Sequence, residues 1–70
     1  VKREDVELIA HLCRVRAGLK VDPEKTYLIE SRLAPLARRE GFGAISDMIK
    51  ALRNKRDDKL AWALVEAMTL

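Results

Sequence analysis

Four basic side chains between positions 25 and 39 have the types and the spacing needed to bind acidic groups. Lys25, Arg32 and Arg39 recur every seven residues, and Arg38 immediately precedes the last of them. On a helix this spacing forms one stripe that drifts by about 20° per step. Seven basic and three acidic residues lie between positions 14 and 39. The pattern indicates a surface for an acidic partner, although an ordinary solvated helix face would show the same excess.

Residues for nucleophilic or metal chemistry are scarce. His11 is the single histidine and Cys13 the single cysteine, so neither a histidine-based metal cluster nor a His-containing catalytic triad can form. Three scattered glycines cannot build a phosphate-binding loop. We therefore predict no catalytic residue and no metal site, with His11 half-buried on a helix and Cys13 in the core.

Length and composition indicate one small soluble domain. The 70 residues are 49% hydrophobic and 36% charged, with a formal net charge of +3. No run of about 18 apolar residues is present, and the charged opening is not followed by the apolar stretch of a secretory signal. A single cysteine excludes an internal disulfide and favours a reducing, cytoplasmic location.

Helical periodicity predicts an all-α fold, a small four-helix domain with short loops and no strands. The predicted helices span positions 3–17, 23–40, 44–53 and 57–68. Gly18 suits a left-handed C-terminal cap, Asp22 with Pro23 suits a helix start, and Asp57 or Asp58 suits the cap of the fourth helix. The second helix should be the longest, with a kink near Pro35.

The apolar positions within these helices predict the core. Trp62 lies beside the apolar stripe of the fourth helix, where it either covers the edge of the core or faces a neighbouring domain. The predicted core residues are Val6, Leu8, Ile9, Leu12, Cys13, Val15, Ile29, Leu33, Leu36, Ile45, Met48, Ile49, Leu52, Leu60, Ala61, Leu64, Val65 and Met68.

The stretch GLKVDPEKTYLIESRLAPLARREGF, positions 18–42, resembles the N-terminal domain of CheR-type chemotaxis receptor methyltransferases. That family has a turn that begins with glycine, then a lysine, an Arg-Leu pair seven residues later and a basic tail that ends at a glycine. The flanking helices fit as well, so the resemblance covers essentially the whole chain. The positions in register are Gly18, Leu19, Lys25, Arg32, Leu33, Arg38 and Gly41.

The resemblance implies a receptor-recognition domain over positions 1–70, with the catalytic domain lying beyond this chain. The full enzyme would be a protein-glutamate O-methyltransferase that transfers the methyl group of S-adenosylmethionine to glutamates on chemoreceptor helices. The basic second helix would position the acidic receptor helix through Lys25, Arg32, Arg38 and Arg39, with Arg32 also near the cofactor. Some members of that family carry further arginines directly after the Arg-Leu pair, where this chain has Ala34, Pro35 and Leu36.

Other partners fit parts of the same pattern. A basic helix also suits a regulatory module that binds a signalling protein or a cyclic dinucleotide, and a purely structural cap on the catalytic domain is a third reading. A small basic nucleic-acid-binding module is a further alternative. We do not expect nucleic acid as the partner, because the net charge is modest and no helix-turn-helix pattern stands out. Nor do we expect membrane insertion.

Overall fold

Four α-helices make up the computed structural model, which describes residues 1–69. Helix α1 spans Arg3–Ala17, α2 spans Thr26–Arg39, α3 spans Ile45–Lys55 and α4 spans Asp58–Met68. No strand occurs in the described residues, so the predicted all-α, four-helix fold is confirmed. No helix within the described part of the chain is long and apolar enough to cross a membrane.

Helix α4 organises the packing, because both α1 and α2 lie against it while α3 packs on α2. Five of its eleven residues are buried, and all five follow the apolar spacing seen in the sequence. Their partners are the apolar stripes of the other three helices. The buried apolar residues are Val6, Ile9, Cys13, Ile29, Leu33, Leu36, Ala37, Met48, Ile49, Leu52, Leu60, Ala61, Leu64, Val65 and Met68.

The predicted core is largely confirmed, with Val15 as a clear exception. Leu8, Leu12 and Ile45 are half-buried against the core, whereas Val15 is 66% exposed. Two residues along an α-helix correspond to a turn of about 200°. Because Cys13 faces the core, Val15 must point to the opposite side of α1.

Helix α1 begins and ends where its sequence signals predict. Gly18 adopts the left-handed conformation, with φ of 63°, which costs glycine little because it has no Cβ atom. Its amide N–H donates to the carbonyl of Arg14, and that of Leu19 donates to the carbonyl of Cys13. These bonds satisfy carbonyls at the end of the helix that would otherwise lack partners.

Helix α2 differs from its prediction at its start. The Asp22 carboxylate accepts a hydrogen bond from the amide of Glu24 at 3.0 Å, and its carbonyl accepts one from Lys25. Asp22 and Pro23 therefore form a turn, and the helix begins at Thr26 with Lys25 as a cap residue that lacks a side-chain bond. The prediction of a start at Pro23 is wrong, because Asp-Pro suits both a turn and a helix start.

The later start also makes α2 shorter than predicted. It contains 14 residues and α1 contains 15, so the prediction that the second helix is the longest is wrong. Pro35 lies within a helix that continues on both sides of it, and the kink expected there stays a prediction. The helix ends as Gly41 and Phe42 donate to the carbonyls of Arg38 and Ala37, with Gly41 at φ of 84°.

Helices α3 and α4 are joined by a tight connection. Arg56 caps α3 in the left-handed conformation, with φ of 49°, and its amide donates to the carbonyl of Leu52. The Asp57 carboxylate then accepts a hydrogen bond from the amide of Leu60 at 3.2 Å, which caps the first turn of α4. Of the two predicted caps, Asp57 is therefore the one used.

Candidate docking surface on α2 and α4

The four predicted partner-binding residues all lie on α2 or at its start, but they differ in exposure. Lys25, Arg38 and Arg39 are exposed, whereas Arg32 is half-buried. Arg32 is less exposed because it lies beside the buried Leu33, on the side of α2 that packs against α4.

Two clefts lie along the stripe formed by Lys25, Arg32 and Arg39. The first, which we call the N-terminal cleft, has a volume of about 230 Å³. It combines three cationic side chains with an apolar wall. Its lining residues are Leu19, Lys20, Val21, Asp22, Lys25, Leu28, Ile29, Arg32 and Met68.

The second, which we call the α2–α4 groove, runs between those two helices and has a volume of about 490 Å³. Half of its lining side chains are small, so the backbone of a partner could approach closely. Arg32 and Arg39 contribute positive charge, and Glu66 contributes the one negative charge among the lining residues. The lining residues are Ser31, Arg32, Pro35, Leu36, Arg39, Ala63, Glu66 and Ala67.

Arg32 lies at the junction of the two clefts, because it lines both of them. Its Nη1 donates a hydrogen bond to the carbonyl oxygen of Met68 at 2.9 Å. Met68 ends α4, whose last turn contains no basic residue. Arg32 therefore satisfies a carbonyl at the negative end of the α4 dipole, across the interface between two helices.

The four basic residues predicted to bind a partner therefore do not all line one cleft. Lys25 and Arg32 share the N-terminal cleft, and Arg32 and Arg39 share the α2–α4 groove. Arg38 lines neither cleft. This agrees with its position about 100° around the helix from Arg39.

Some of the positive charge on this surface has no acidic neighbour in a salt bridge. Arg39 Nε lies 3.5 Å from the carboxylate of its neighbour Glu40, and both side chains are exposed. Across residues 1–69, neither Lys25 nor Arg38 takes part in a salt bridge. Exposed cations without fixed partners attract acidic molecules from solution and raise the rate of association more than the final affinity.

Several residues of this surface were missed in the sequence. Lys20 lies in the link between α1 and α2, where no helical spacing connects it with Lys25, although it lines the same cleft. Ala63, Glu66 and Ala67 belong to α4 and enter the groove through packing between distant helices. The excess of basic residues between positions 14 and 39 was the only signal for Lys20.

Cys13 and His11, the single cysteine and the single histidine, line neither of these clefts. Cys13 is fully buried, and burial raises the pKa of its thiol. His11 is exposed rather than half-buried, because two residues along α1 separate it from the core-facing Ile9 and again from Cys13. In the part of the chain that the structure describes, no three His, Cys, Asp or Glu residues are placed to hold a metal ion.

These features define a small helical domain with a basic, partly apolar groove. Residues 4–69 match the family described as "CheR methyltransferase, all-alpha domain". Since the match covers nearly the whole sequence, the chain belongs to this family, and the resemblance noted in the sequence is confirmed. No curated protein and no solved structure matches the chain.

Family membership relates this domain to enzymes that transfer methyl groups from S-adenosylmethionine. Within residues 1–69 there are no strands, and the glycine-rich turn of a dinucleotide-binding fold is absent. Arg32 is the one candidate contact to the cofactor that the sequence suggested.

Proposed function

We propose that this domain docks an acidic helix of a chemoreceptor for methylation by the parent enzyme, a protein-glutamate O-methyltransferase. The observation that carries the proposal is the α2–α4 groove, in which Arg32 and Arg39 flank small side chains. Small residues allow a helical backbone to lie close to the surface, and the arginines supply donors for carboxylates.

The spacing of the cations defines the kind of helix that fits. Lys25, Arg32 and Arg39 are seven residues apart, and seven residues span about 10.5 Å of helix axis. A partner helix with acidic residues at seven-residue intervals presents carboxylates at the same repeat. A helix packed nearly parallel or antiparallel to α2 would therefore meet successive cations with successive acids.

The role of the domain in the reaction is to position a carboxylate. The methyl donor supplies an electrophilic carbon on sulfur, and the attacking glutamate oxygen needs alignment with that carbon more than it needs a general base. The domain itself is proposed to be non-catalytic, with Lys25, Arg32, Arg38 and Arg39 as substrate-binding residues. Arg32 is the one proposed to lie near the cofactor, which the catalytic domain would bind.

The individual contacts are expected to be weak and collectively useful. An exposed ion pair contributes about 0.2–1 kcal/mol, so three or four such pairs give orientation and fast association rather than tight binding. Arg32 is only half-exposed and already donates to Met68. It therefore has fewer donors to offer a receptor than the exposed Lys25 and Arg39.

A second candidate function is a regulatory site that uses the N-terminal cleft. Lys20, Lys25 and Arg32 all line this cleft, while Asp22 is its one acidic residue. This excess of positive charge suits an anionic regulator such as a cyclic dinucleotide or an acidic segment of a signalling protein. Such a ligand would compete with the receptor for Lys25 and Arg32.

Charge reversal at Arg39 in the full-length enzyme tests the docking proposal. Arg39→Glu should lower kcat/KM for receptor methylation by about tenfold, because an attraction of up to 1 kcal/mol becomes a repulsion of similar size. Arg3→Glu is the matched control, since Arg3 is an exposed α1 residue outside both clefts and is 92% exposed. The initial rate of methyl transfer at several salt concentrations is the measurement.

Two outcomes decide between the functions. If Arg39→Glu and Arg3→Glu lower kcat/KM equally, the groove is not the docking site. If methylation depends on Lys20 and Lys25 only when an anionic regulator is present, the N-terminal cleft has the regulatory function.

A further inference from the structure

A second cluster of cationic side chains lies away from the surface described above. It lines a cleft of about 450 Å³ between α1, the end of α3 and the start of α4, which we call the α1–α3 cleft. It shares no lining residue with the N-terminal cleft or the α2–α4 groove. Its lining residues are Leu8, His11, Leu12, Arg16, Leu52, Arg53, Arg56, Asp57 and Ala61.

We propose that the α1–α3 cleft binds a small organic phosphate of the nucleotide class. Its volume lies within the range of about 300–1,000 Å³ that small-molecule sites occupy. The proposal does not depend on the docking function, because the two surfaces have no residues in common.

Two of the three arginines in this cleft are held in place by neighbouring groups. Arg16 Nη2 lies 2.7 Å from the carboxylate of Asp58, and its guanidinium lies 5.1 Å from the centre of the Trp62 ring. A guanidinium that is already fixed loses little conformational entropy when a ligand binds to its remaining N–H groups.

Arg53 is held in a similar way from the other end of the cleft. Its Nη1 lies 3.4 Å from the carboxylate of the buried Asp5, and its Nη2 donates to the carbonyl of Glu4 at 2.9 Å. These contacts join the start of α1 to the end of α3. They explain why Asp5 is buried although it is acidic, and they fix the Arg53 guanidinium where it lines the cleft.

Arg56 provides the strongest reason to assign a ligand to this cleft. It has φ of 49°, which makes it the one non-glycine residue with positive φ in the described chain. This conformation is unfavourable for any residue with a Cβ atom, and glycine is the usual residue at such a helix end. Strained backbone of this kind is concentrated at functional sites.

The Arg56 side chain is also without a salt bridge within residues 1–69. Arg56 therefore combines an unfavourable backbone conformation with a guanidinium that lines the cleft and has no salt-bridge partner within residues 1–69. A ligand with acceptor oxygens gives that guanidinium a partner.

Acidic groups around the cleft limit the affinity. Asp5 and Asp58 neutralise Arg53 and Arg16, and Asp57 lines the cleft, although its Oδ1 accepts from the amide of Leu60. The three arginines and three aspartates carry no net charge together. Binding must therefore come from directed hydrogen bonds and apolar contact rather than from a strong positive field.

Phosphate fits this arrangement better than carboxylate does. A single carboxylate has two oxygens and is satisfied by one guanidinium, whereas a terminal phosphate offers three oxygens to several N–H donors. His11 adds a further donor at the rim. The half-buried side chains of Leu8 and Leu12 would contact the base or sugar, which makes a nucleotide a better match than inorganic phosphate.

Titration of the ¹⁵N-labelled chain with AMP, adenosine and inorganic phosphate tests the site by amide chemical shifts. AMP should shift amides in residues 8–16 and 52–61, and it should bind more tightly than either adenosine or inorganic phosphate. Equal affinity for AMP and adenosine would overturn the phosphate assignment. Shifts centred on residues 19–39 would place binding at the N-terminal cleft and overturn the site.

Substitutions at Arg56 separate its role in binding from its role in the backbone. Arg56→Gly should weaken AMP binding by at least about fivefold, the effect of one lost charge-assisted hydrogen bond. It should also raise the urea midpoint of unfolding, because glycine relieves the positive-φ strain. Arg56→Ala should weaken binding to the same extent without raising the midpoint.

The matched control is Arg3→Ala, which removes one exposed positive charge that does not line the cleft and should leave AMP affinity unchanged. Arg56→Lys should retain part of the affinity, because the charge remains while the guanidinium is lost. If Arg56→Gly binds AMP as tightly as the unaltered chain, the proposed site is wrong.

Discussion

At the scale of single residues, Arg32 has a structural role that its sequence position did not indicate. Its spacing from Lys25 and Arg39 suggested a partner contact, yet its Nη1 donates to the carbonyl of Met68. The two residues are 36 positions apart in the sequence, and no local pattern connects them. A substitution at Arg32 therefore changes the stability of the domain as well as any partner contact.

Removal of this bond should be measurable as a loss of stability. Arg32→Ala is expected to lower the free energy of unfolding by about 1–2 kcal/mol, because a hydrogen bond from a charged donor is lost and a helix end loses its cation. Urea unfolding followed by circular dichroism measures the change. Arg38→Ala is the control and should stay within about 0.5 kcal/mol, since Arg38 is exposed and forms no salt bridge within residues 1–69. Equal effects of the two substitutions would contradict the capping role.

The buried thiol of Cys13 predicts a loss of stability at alkaline pH. Burial raises its pKa in the folded chain, so the folded state holds the proton more strongly than the unfolded state does. The stabilising contribution is complete below the unfolded thiol pKa of about 8.5 and is lost as pH rises toward the folded value. The loss is at most about 1.4 kcal/mol per pH unit.

Comparison with Cys13→Ala isolates this contribution from the titration of other groups. The free energy of unfolding of the unaltered chain should fall more steeply between pH 8 and pH 10 than that of the variant. Parallel pH profiles would show that the thiol titrates alike in both states. Reaction of Cys13 with a thiol reagent should likewise be slow in the folded chain, because the side chain is fully buried.

At the scale of the helices, the two Asp residues that were predicted as caps behave differently. Asp57 accepts from the amide of Leu60 at the start of α4, whereas Asp22 accepts from Glu24 within a turn before α2. Both side chains bond an amide two or three residues ahead. The sequence alone could not distinguish them, because turns and helix starts use the same local chemistry.

The difference leads to a paired prediction. Asp57→Ala should cost about 1 kcal/mol of stability, the usual effect of losing an N-cap. Asp22→Ala should cost less than about 0.5 kcal/mol, because the turn is exposed and lies outside a helix. Thermal or urea unfolding of both variants gives the comparison. A larger loss for Asp22→Ala would mean that α2 starts earlier than Thr26.

At the scale of the whole molecule, the sequence predicted the fold well because the information is local. Each helix has its own apolar stripe, and α1 and α4 end within one residue of their predicted limits. The helix count, the absence of strands among the described residues and most of the core follow from that periodicity. Val15 was misplaced because the apolar stripe of α1 was drawn too wide.

The clefts were less predictable than the core because they depend on pairs of distant elements. Arg53 meets Asp5 from 48 positions away, and the α2–α4 groove joins Arg39 to Ala63 and Ala67. Spacing within one helix says which residues share a face. It does not say which neighbouring helix that face meets.

The central position of α4 predicts where the domain is most vulnerable. Leu64 is fully buried on the helix that contacts both α1 and α2. Leu64→Ala should cost about 2–5 kcal/mol, which is a large part of the roughly 4–10 kcal/mol expected for 70 residues. Circular dichroism at 37 °C should show substantial loss of helix, while Val15→Ala, at a site that is 66% exposed, should remain folded. Full retention of structure in Leu64→Ala would contradict the central role of α4.

The hydrogen bond between Arg32 and Met68 couples docking at the α2–α4 groove to the order of the last turn of α4. If a docked helix engages Arg32 and orders it, the carbonyl end of α4 also becomes more ordered. By thermodynamic reciprocity, anything that immobilises the end of α4 must strengthen docking by the same coupling free energy. Occupation of the groove would thus reduce the motion of residues 66–69. A neighbouring domain joined after Met68 would respond to that reduced motion, without any change in average structure.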